Sequence, residues 1–102
     1  SVKVSVQETE HLVIDFGLEQ NYPNPFNPYT VISYRLSVTS KVSLQVFDLL
    51  GREVETLVNE VQLPGSYNSQ FSIRNSQLSS GVYFYRISVG NFVETKKMIL
   101  LK

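Results

Sequence analysis

Residues 82–101 read VYFYRISVGNFVETKKMILL and are the most hydrophobic part of this 102-residue chain. β-Branched and aromatic residues fill the first half, and Gly90-Asn91 supplies a two-residue hairpin turn before the second half. Because successive side chains of a strand point to opposite faces, Val82, Phe84 and Arg86 are predicted to face away from the core. The positions predicted to line the core are Tyr83, Tyr85, Ile87 and Val89.

The same two-residue period continues upstream of this hairpin. It predicts strands over residues 30–36, 41–48, 52–58 and 67–73, separated by turn signals at Gly51 and at Leu63-Pro64-Gly65. Residues 2–6 and 11–16 are candidates for one or two N-terminal strands, and residues 75–80 are predicted to form a polar loop. Turns every 8–12 residues, with no window that favours a helix, predict an all-β fold: an antiparallel, immunoglobulin-like β-sandwich of about seven strands. The predicted inward side chains include Ile32, Tyr34, Leu36, Val42, Leu44 and Val46.

Residues 21–28, NYPNPFNP, interrupt this pattern with three prolines. Proline fixes its own φ and pushes the residue before it towards extended geometry, so the segment is predicted to be neither helix nor central strand. We predict a stiff connector that is held in place by its aromatic side chains and its asparagine hydrogen bonds.

Composition excludes several classes of function. Nine basic and nine acidic residues give a formal net charge of zero, which argues against a nucleic-acid or membrane-surface binder. The longest apolar run, residues 98–101, is far shorter than the ~20 residues that a membrane span needs. Cysteine is absent, so no disulfide is predicted. The first residues lack the pattern of a signal peptide, and we expect the chain to be a fragment of a longer precursor.

No pattern in the sequence predicts catalysis or metal binding. His11 is the single histidine and cysteine is absent, so a zinc site is not expected. The acidic residues near the N-terminus lack the spacing of a calcium loop, and neither a GxSxG nucleophile motif nor a glycine-rich phosphate loop occurs. We therefore expect a protein that is not an enzyme, with no cofactor, no small-molecule substrate and no nucleic-acid partner.

Four sequence blocks, taken together and in order, resemble one known family. They are NYPNPFNP (21–28), FDLLGR (47–52), SGVYFYR (80–86) and KKMILLK (96–102). From about residue 16 onwards the chain is similar to the C-terminal sorting domain of the type IX secretion system, also called the Por secretion system. In that family the blocks follow the same order and lie close to the end of the precursor.

The resemblance implies an immunoglobulin-like domain that directs an attached cargo from the periplasm across the outer membrane. The implied partners are the outer-membrane type IX translocon, a sortase-like protease that removes the domain, and an upstream cargo domain in the same chain. The implied location is secreted or cell-surface, after passage through the periplasm. Residues 18–102 would be the sorting domain and residues 1–17 a linker or N-terminal strand region, with cleavage somewhere between residues 1 and 20.

The resemblance also marks candidate recognition residues. Gly81 and Tyr83 fall on a GxY motif, and Lys97 and Lys102 fall on a terminal KxxxxK motif. Each has a structural alternative: Gly81 can serve backbone geometry, Tyr83 alternates in register with the core, and lysines on an edge strand discourage aggregation. Contact between the final strand and the translocon is physically reasonable, because an edge strand offers unpaired backbone groups to a receptor.

The remaining motif positions are predicted to be structural. Pro23, Asn24 and Pro25 fall on the family's proline motif and are expected to fix how the chain enters the sandwich. Gly51 is expected at a turn position with positive φ.

Two other functions fit the same fold. A carbohydrate-binding sandwich could stack sugars on its aromatic residues, of which the chain has twelve, although it lacks tryptophan. An inert immunoglobulin-like spacer in a multidomain secreted enzyme would have the same architecture and is distinguished by its position in the precursor.

Overall fold

The computed structural model describes residues 16–73 and 78–102. The predicted strand at residues 2–6, all of the 11–16 candidate except Phe16, and residues 75–77 of the predicted polar loop lie outside the described residues. Within the described ranges the chain forms seven strands and no helix, so the all-β prediction is confirmed. The strands are β1 Gly17–Leu18, β2 Tyr29–Leu36, β3 Ser40–Phe47, β4 Glu53–Gln62, β5 Gly65–Ser72, β6 Gly81–Val89 and β7 Phe92–Leu100.

The strands pair antiparallel in two sheets that pack as a β-sandwich. One sheet has the order β1-β2-β5 and the other has the order β4-β3-β6-β7. β6 and β7 form the predicted hairpin around Gly90-Asn91, and β3 joins β6 on its other side. β7 is consequently the last strand of the four-stranded sheet.

The core lies between the two sheets and matches the predicted alternation. Every side chain predicted to point inward on β2, β3 and β6 is buried, and β7 adds Met98 and Leu100. Burying a large apolar side chain contributes about 1.5–3 kcal/mol, so this set supplies most of the driving force for folding. The buried apolar residues are Leu18, Phe26, Ile32, Tyr34, Leu36, Val42, Leu44, Val46, Phe71, Tyr83, Tyr85, Ile87, Val89, Met98 and Leu100.

β4 differs from its prediction, which ended the strand at residue 58. The strand continues to Gln62, which pairs with Ser40, and its register against β3 shifts at two irregularities. Each shift breaks the two-residue alternation on which the prediction depended. β4 also lies at an edge of its sheet, where burial does not demand a hydrophobic pattern.

Tyr85 ties the beginning of the described chain to the core. Its hydroxyl donates to the Glu19 carbonyl at 2.6 Å and accepts from the backbone N–H of Asn21 at 2.8 Å. The buried Asn21 amide in turn donates to Thr30 Oγ1 and to the Pro23 carbonyl. These bonds satisfy polar groups that would otherwise be costly to bury.

This arrangement predicts a loss of stability at alkaline pH. Burial raises the pKa of Tyr85 to about 12 from an ordinary value of 10.0, and burial raises the pKa of Tyr34 as well. The folded state holds these protons more tightly than the unfolded chain does. The stabilisation is therefore complete below about pH 10 and is lost as the pH rises towards about 12. We expect the urea midpoint to fall across that window.

The variant Tyr85→Phe is the control for this titration. At pH 8 it should be less stable than the parent by roughly 1–3 kcal/mol, because Asn21 N–H and the Glu19 carbonyl lose their partner. The difference between the two proteins should shrink between pH 10 and pH 12. Parallel stability curves over that range would contradict the role given to Tyr85.

Candidate functional site

The proline segment, residues 21–28, lies against the outer edge of β7. The backbone N–H of Phe26 donates to the Ile99 carbonyl at 2.9 Å, and Leu101 N–H donates back to the Phe26 carbonyl at 3.1 Å. Asn24 Oδ1 accepts the Ile99 N–H at 2.9 Å. The Phe26 ring is buried edge-on against Phe71, with ring centroids 6.0 Å apart. The segment therefore covers the C-terminal half of the β7 edge.

The motif prolines themselves lie on the surface of this segment. Pro23 and Pro25 are exposed, and the Pro23 carbonyl accepts hydrogen bonds from Asn21 Nδ2 and Thr30 Oγ1. The peptide bonds that precede Pro23, Pro25 and Pro28 are cis. The segment is thus fixed through its carbonyls, its asparagines and Phe26, while the two motif proline rings face outward.

The turn between β3 and β4 is organised by Asp48. Its Oδ1 accepts the backbone N–H groups of Leu50 and Arg52, and its Oδ2 accepts Arg52 Nε at 2.8 Å. The hydrogen bond from the Arg52 backbone N–H is the largest of the causes that hold the pKa of Asp48 below its ordinary value. The other hydrogen bonds to this carboxylate and the guanidinium charge act in the same direction. Gly51 has φ +85°, the left-handed conformation that glycine adopts without steric cost.

The GxY motif begins β6 beside this turn. Gly81 has φ +150°, where a side chain is disfavoured even though open space surrounds the position. Tyr83 is buried in the core, and its hydroxyl donates to the Ser79 carbonyl at 2.7 Å. A backbone role for Gly81 and a packing role for Tyr83 both have direct geometric support.

The two motif lysines are exposed at different places on the last strand and beyond it. Lys97 lies on the outer face of the four-stranded sheet, in register with Phe84. Lys102 follows β7, and its backbone N–H donates to Ser80 Oγ at 2.9 Å. Because Gly81 pairs with Leu100, Lys102 lies beside the start of β6.

The four sequence blocks, which are far apart along the chain, meet at one end of the sandwich. The proline segment bonds the end of β7, the end of β7 pairs with the start of β6, and the β3–β4 turn borders the same start. We call this the motif end. The opposite end carries the β4–β5 turn and the Gly90-Asn91 turn.

Two residues at the motif end were not singled out from the sequence. Leu49 and Leu50 are 66% and 76% exposed at the tip of the β3–β4 turn. Together with residues 78–83 they line a groove of about 360 Å³. A signal was available, because two adjacent leucines in a turn that cannot bury them are unusual for a purely structural connection.

Across residues 16–73 and 78–102 no cluster of three or more His, Cys, Asp or Glu side chains could hold a metal ion. Over those ranges there is also no helix long and apolar enough to cross a membrane.

Comparison with known proteins agrees with this architecture. The fold is similar to part of the crystal structure of dimeric latent PorU from Porphyromonas gingivalis, with a TM-score of 0.65 and 17% sequence identity. The similarity covers 87% of this chain and 9% of the PorU chain, so the chain spans only a small part of that protein. Among curated protein sequences none matches. A family described as the secretion system C-terminal sorting domain matches residues 20–101. The chain therefore belongs to this family of C-terminal sorting domains, as the four sequence blocks predicted.

Proposed function

We propose that this domain is a non-catalytic signal that directs an attached upstream cargo across the outer membrane by the type IX secretion system. Family membership over residues 20–101 is the observation that carries the proposal. The protein to which the domain is attached would then be secreted or displayed on the cell surface. Its partners would be the type IX translocon and a sortase-like protease.

The motif end is the best candidate for the surface that the translocon reads. At this end the backbone N–H of Lys102 donates to Ser80, the residue before Gly81. The side chain of Lys97 lies on the outer face of the same four-stranded sheet. Tyr83 supports this end from the core and fixes the Ser79 carbonyl. We assign direct recognition to the exposed lysines, and a supporting role to Gly81 and Tyr83.

We propose that a sortase-like protease removes the domain by cleavage between residues 1 and 20, in the part that precedes Phe16; residues 1–17 would connect the cargo to the sorting domain at 18–102. The described chain is anchored from its first residues: Phe16 packs on Phe92, Gly17 pairs with Arg35 of β2, and further hydrogen bonds follow from Glu19 onwards. Proteases cleave exposed segments in preference to anchored ones. Cleavage before this anchored stretch would leave the sandwich intact.

The test attaches residues 1–102 to the C-terminus of a periplasmic fluorescent protein in a host with a working type IX system. We expect fluorescence at the cell surface or in the medium, and we expect it to disappear when the translocon is disabled. Retention in the periplasm, with the domain shown to be folded, would contradict the proposal. That outcome would favour the spacer or the carbohydrate-binding alternative.

A further inference from the structure

The six tyrosines of the chain divide into two groups by what the fold does with them. Four have a hydrogen-bond partner for the hydroxyl, and these are Tyr34, Tyr67, Tyr83 and Tyr85. The other two, Tyr22 and Tyr29, are 80% and 47% exposed. In the described part of the chain neither hydroxyl has a hydrogen bond, and neither ring packs on another aromatic ring. The fold therefore leaves two aromatic side chains open to a ligand.

Both of these rings lie on the outer face of the three-stranded sheet. Positions 30 and 32 of β2 are buried, so Tyr29 and Val31 face outward. Tyr22 forms an antiparallel bridge with Val31 and exchanges two backbone hydrogen bonds with it, and residues paired in this way present their side chains on the same face. Diagonal neighbours in such a pair lie roughly 7–8 Å apart, so the two rings flank Val31 and each can contact a different part of one ligand.

β5 adds amide and hydroxyl side chains to the same face. Ser72 lies across from Tyr29. Gln70 and Asn68 follow along β5, and both are exposed. Gln70 Nε2 donates to Ser72 Oγ at 3.1 Å, which orients the amide but uses only one of its two N–H donors. Hydrogen-bond donors and acceptors therefore lie next to the aromatic rings.

The surface around the two rings carries no charge. Residues 20–34 and 63–73 contain no charged residue, although charged residues make up 18% of the chain. The nearest charged residues of this sheet, Glu19 and Arg35, lie in its other half, level with Ser33 and beyond it. An acidic or basic partner would find no opposite charge here, so this surface suits a neutral ligand that is rich in hydroxyl groups.

We propose that the tyrosine face, formed by Tyr22, Tyr29, Asn68, Gln70 and Ser72, binds a neutral polysaccharide. The two rings pack against the C–H faces of two sugar units, which removes apolar surface from water, and the amides hydrogen-bond sugar hydroxyls. The face is part of an open sheet and not a cavity, so it fits an extended polymer better than a small free sugar.

Charge also decides between sources of the polysaccharide. An anionic glycolipid surface calls for lysine or arginine, and the tyrosine face has neither. A neutral polysaccharide outside the cell needs no such side chain. This binding activity goes beyond the secretion function and does not depend on it.

The test measures binding of purified residues 1–102 to cellulose, insoluble xylan and mannan by sedimentation with the polymer. We expect binding to at least one of the three. The double substitution Tyr22→Ala with Tyr29→Ala should weaken that binding at least about tenfold, which corresponds to roughly 1.4 kcal/mol. Tyr22→Phe with Tyr29→Phe should retain most of it, because packing on a sugar ring needs the aromatic ring and not the hydroxyl.

Leu63→Ala is the matched control, because Leu63 is also an exposed apolar residue, 68% exposed, but lies on the β4–β5 turn away from the tyrosine face. Its binding should equal that of the parent. Thermal midpoints of all variants show whether they are folded, and the phenylalanine variant keeps the half-buried position 29 filled.

Four outcomes would overturn the proposal. They are no binding to any of the three polymers, binding to anionic alginate alone, equal binding by the parent and the double alanine variant, and an equal loss in the Leu63→Ala control. Light scattering that shows a dimer lost on Tyr22→Ala, without polysaccharide binding, would assign the face to a second copy of the chain. All of these measurements use the purified domain, so they fail or succeed separately from export of the fluorescent fusion.

Discussion

Replacing Phe26 by alanine should lower the free energy of unfolding by about 3–5 kcal/mol, because the ring is 2% exposed and packs edge-on against Phe71. Domains of this size are stable by only ~5–15 kcal/mol, so the loss is a large share of the total. The substitution also removes the anchor that holds the proline segment on β7. The amide hydrogens of Ile99 and Leu101, which bond to this segment, should therefore exchange faster.

Tyr22→Ala is the matched control, since Tyr22 is an aromatic residue of the same segment but is 80% exposed. Its unfolding free energy should change by less than about 0.5 kcal/mol. Urea unfolding of both variants, with amide exchange followed by NMR, gives the comparison. Equal losses for the two variants would show that the segment is not anchored through Phe26.

The double substitution Lys97→Ala with Lys102→Ala should block export of the fluorescent fusion while leaving the domain folded. Both side chains are exposed, and removing exposed charges usually changes stability by less than about 0.5 kcal/mol. The Lys102 backbone bond to Ser80 does not depend on the side chain and should persist. We expect the cargo to accumulate in the periplasm with an unchanged urea midpoint.

Lys41→Ala controls for the general loss of an exposed lysine, since Lys41 lies on β3 near the opposite end of the sandwich. This variant should be exported normally. Normal export of the double lysine variant would return Lys97 and Lys102 to the alternative interpretation, in which lysines merely protect an edge strand.

The fold could be predicted because the inner strands have only one way to bury their side chains. β2, β3 and β6 alternate strictly, and a shift of one residue would expose the whole set. β4 was predicted less well because it is an edge strand with register shifts, where packing does not impose alternation. β1 was missed as a separate strand because two residues, Gly17 and Leu18, carry no periodicity.

The sequence names the candidate site residues one by one, but it does not show how they lie together on the folded domain. The motifs gave Gly81, Tyr83, Lys97 and Lys102, yet their spacing does not say that the proline segment bonds the end of β7. That contact depends on Asn24 Oδ1 and on backbone groups of Phe26, and backbone pairing of this kind leaves no pattern in the sequence. Leu49 and Leu50 were not singled out, although two adjacent leucines in a predicted turn were a visible signal; the degree of their exposure is known only from the packed structure.

The course of the first described residues along β7 has a mechanical consequence. Phe16 packs on Phe92 with ring centroids 5.3 Å apart, and Gln20 Nε2 donates to the Lys97 carbonyl. Further along, the backbone of Phe26 forms a parallel β-bridge with Leu100. The described chain thus begins at the end opposite the motif end. Residues 16–26 and β7 run in the same direction. A force that pulls the motif end away from Phe16 would therefore act along both segments, and all the hydrogen bonds between them would resist it together. With this arrangement, force on the motif end can be transmitted to an attached cargo before the core of the sandwich unfolds.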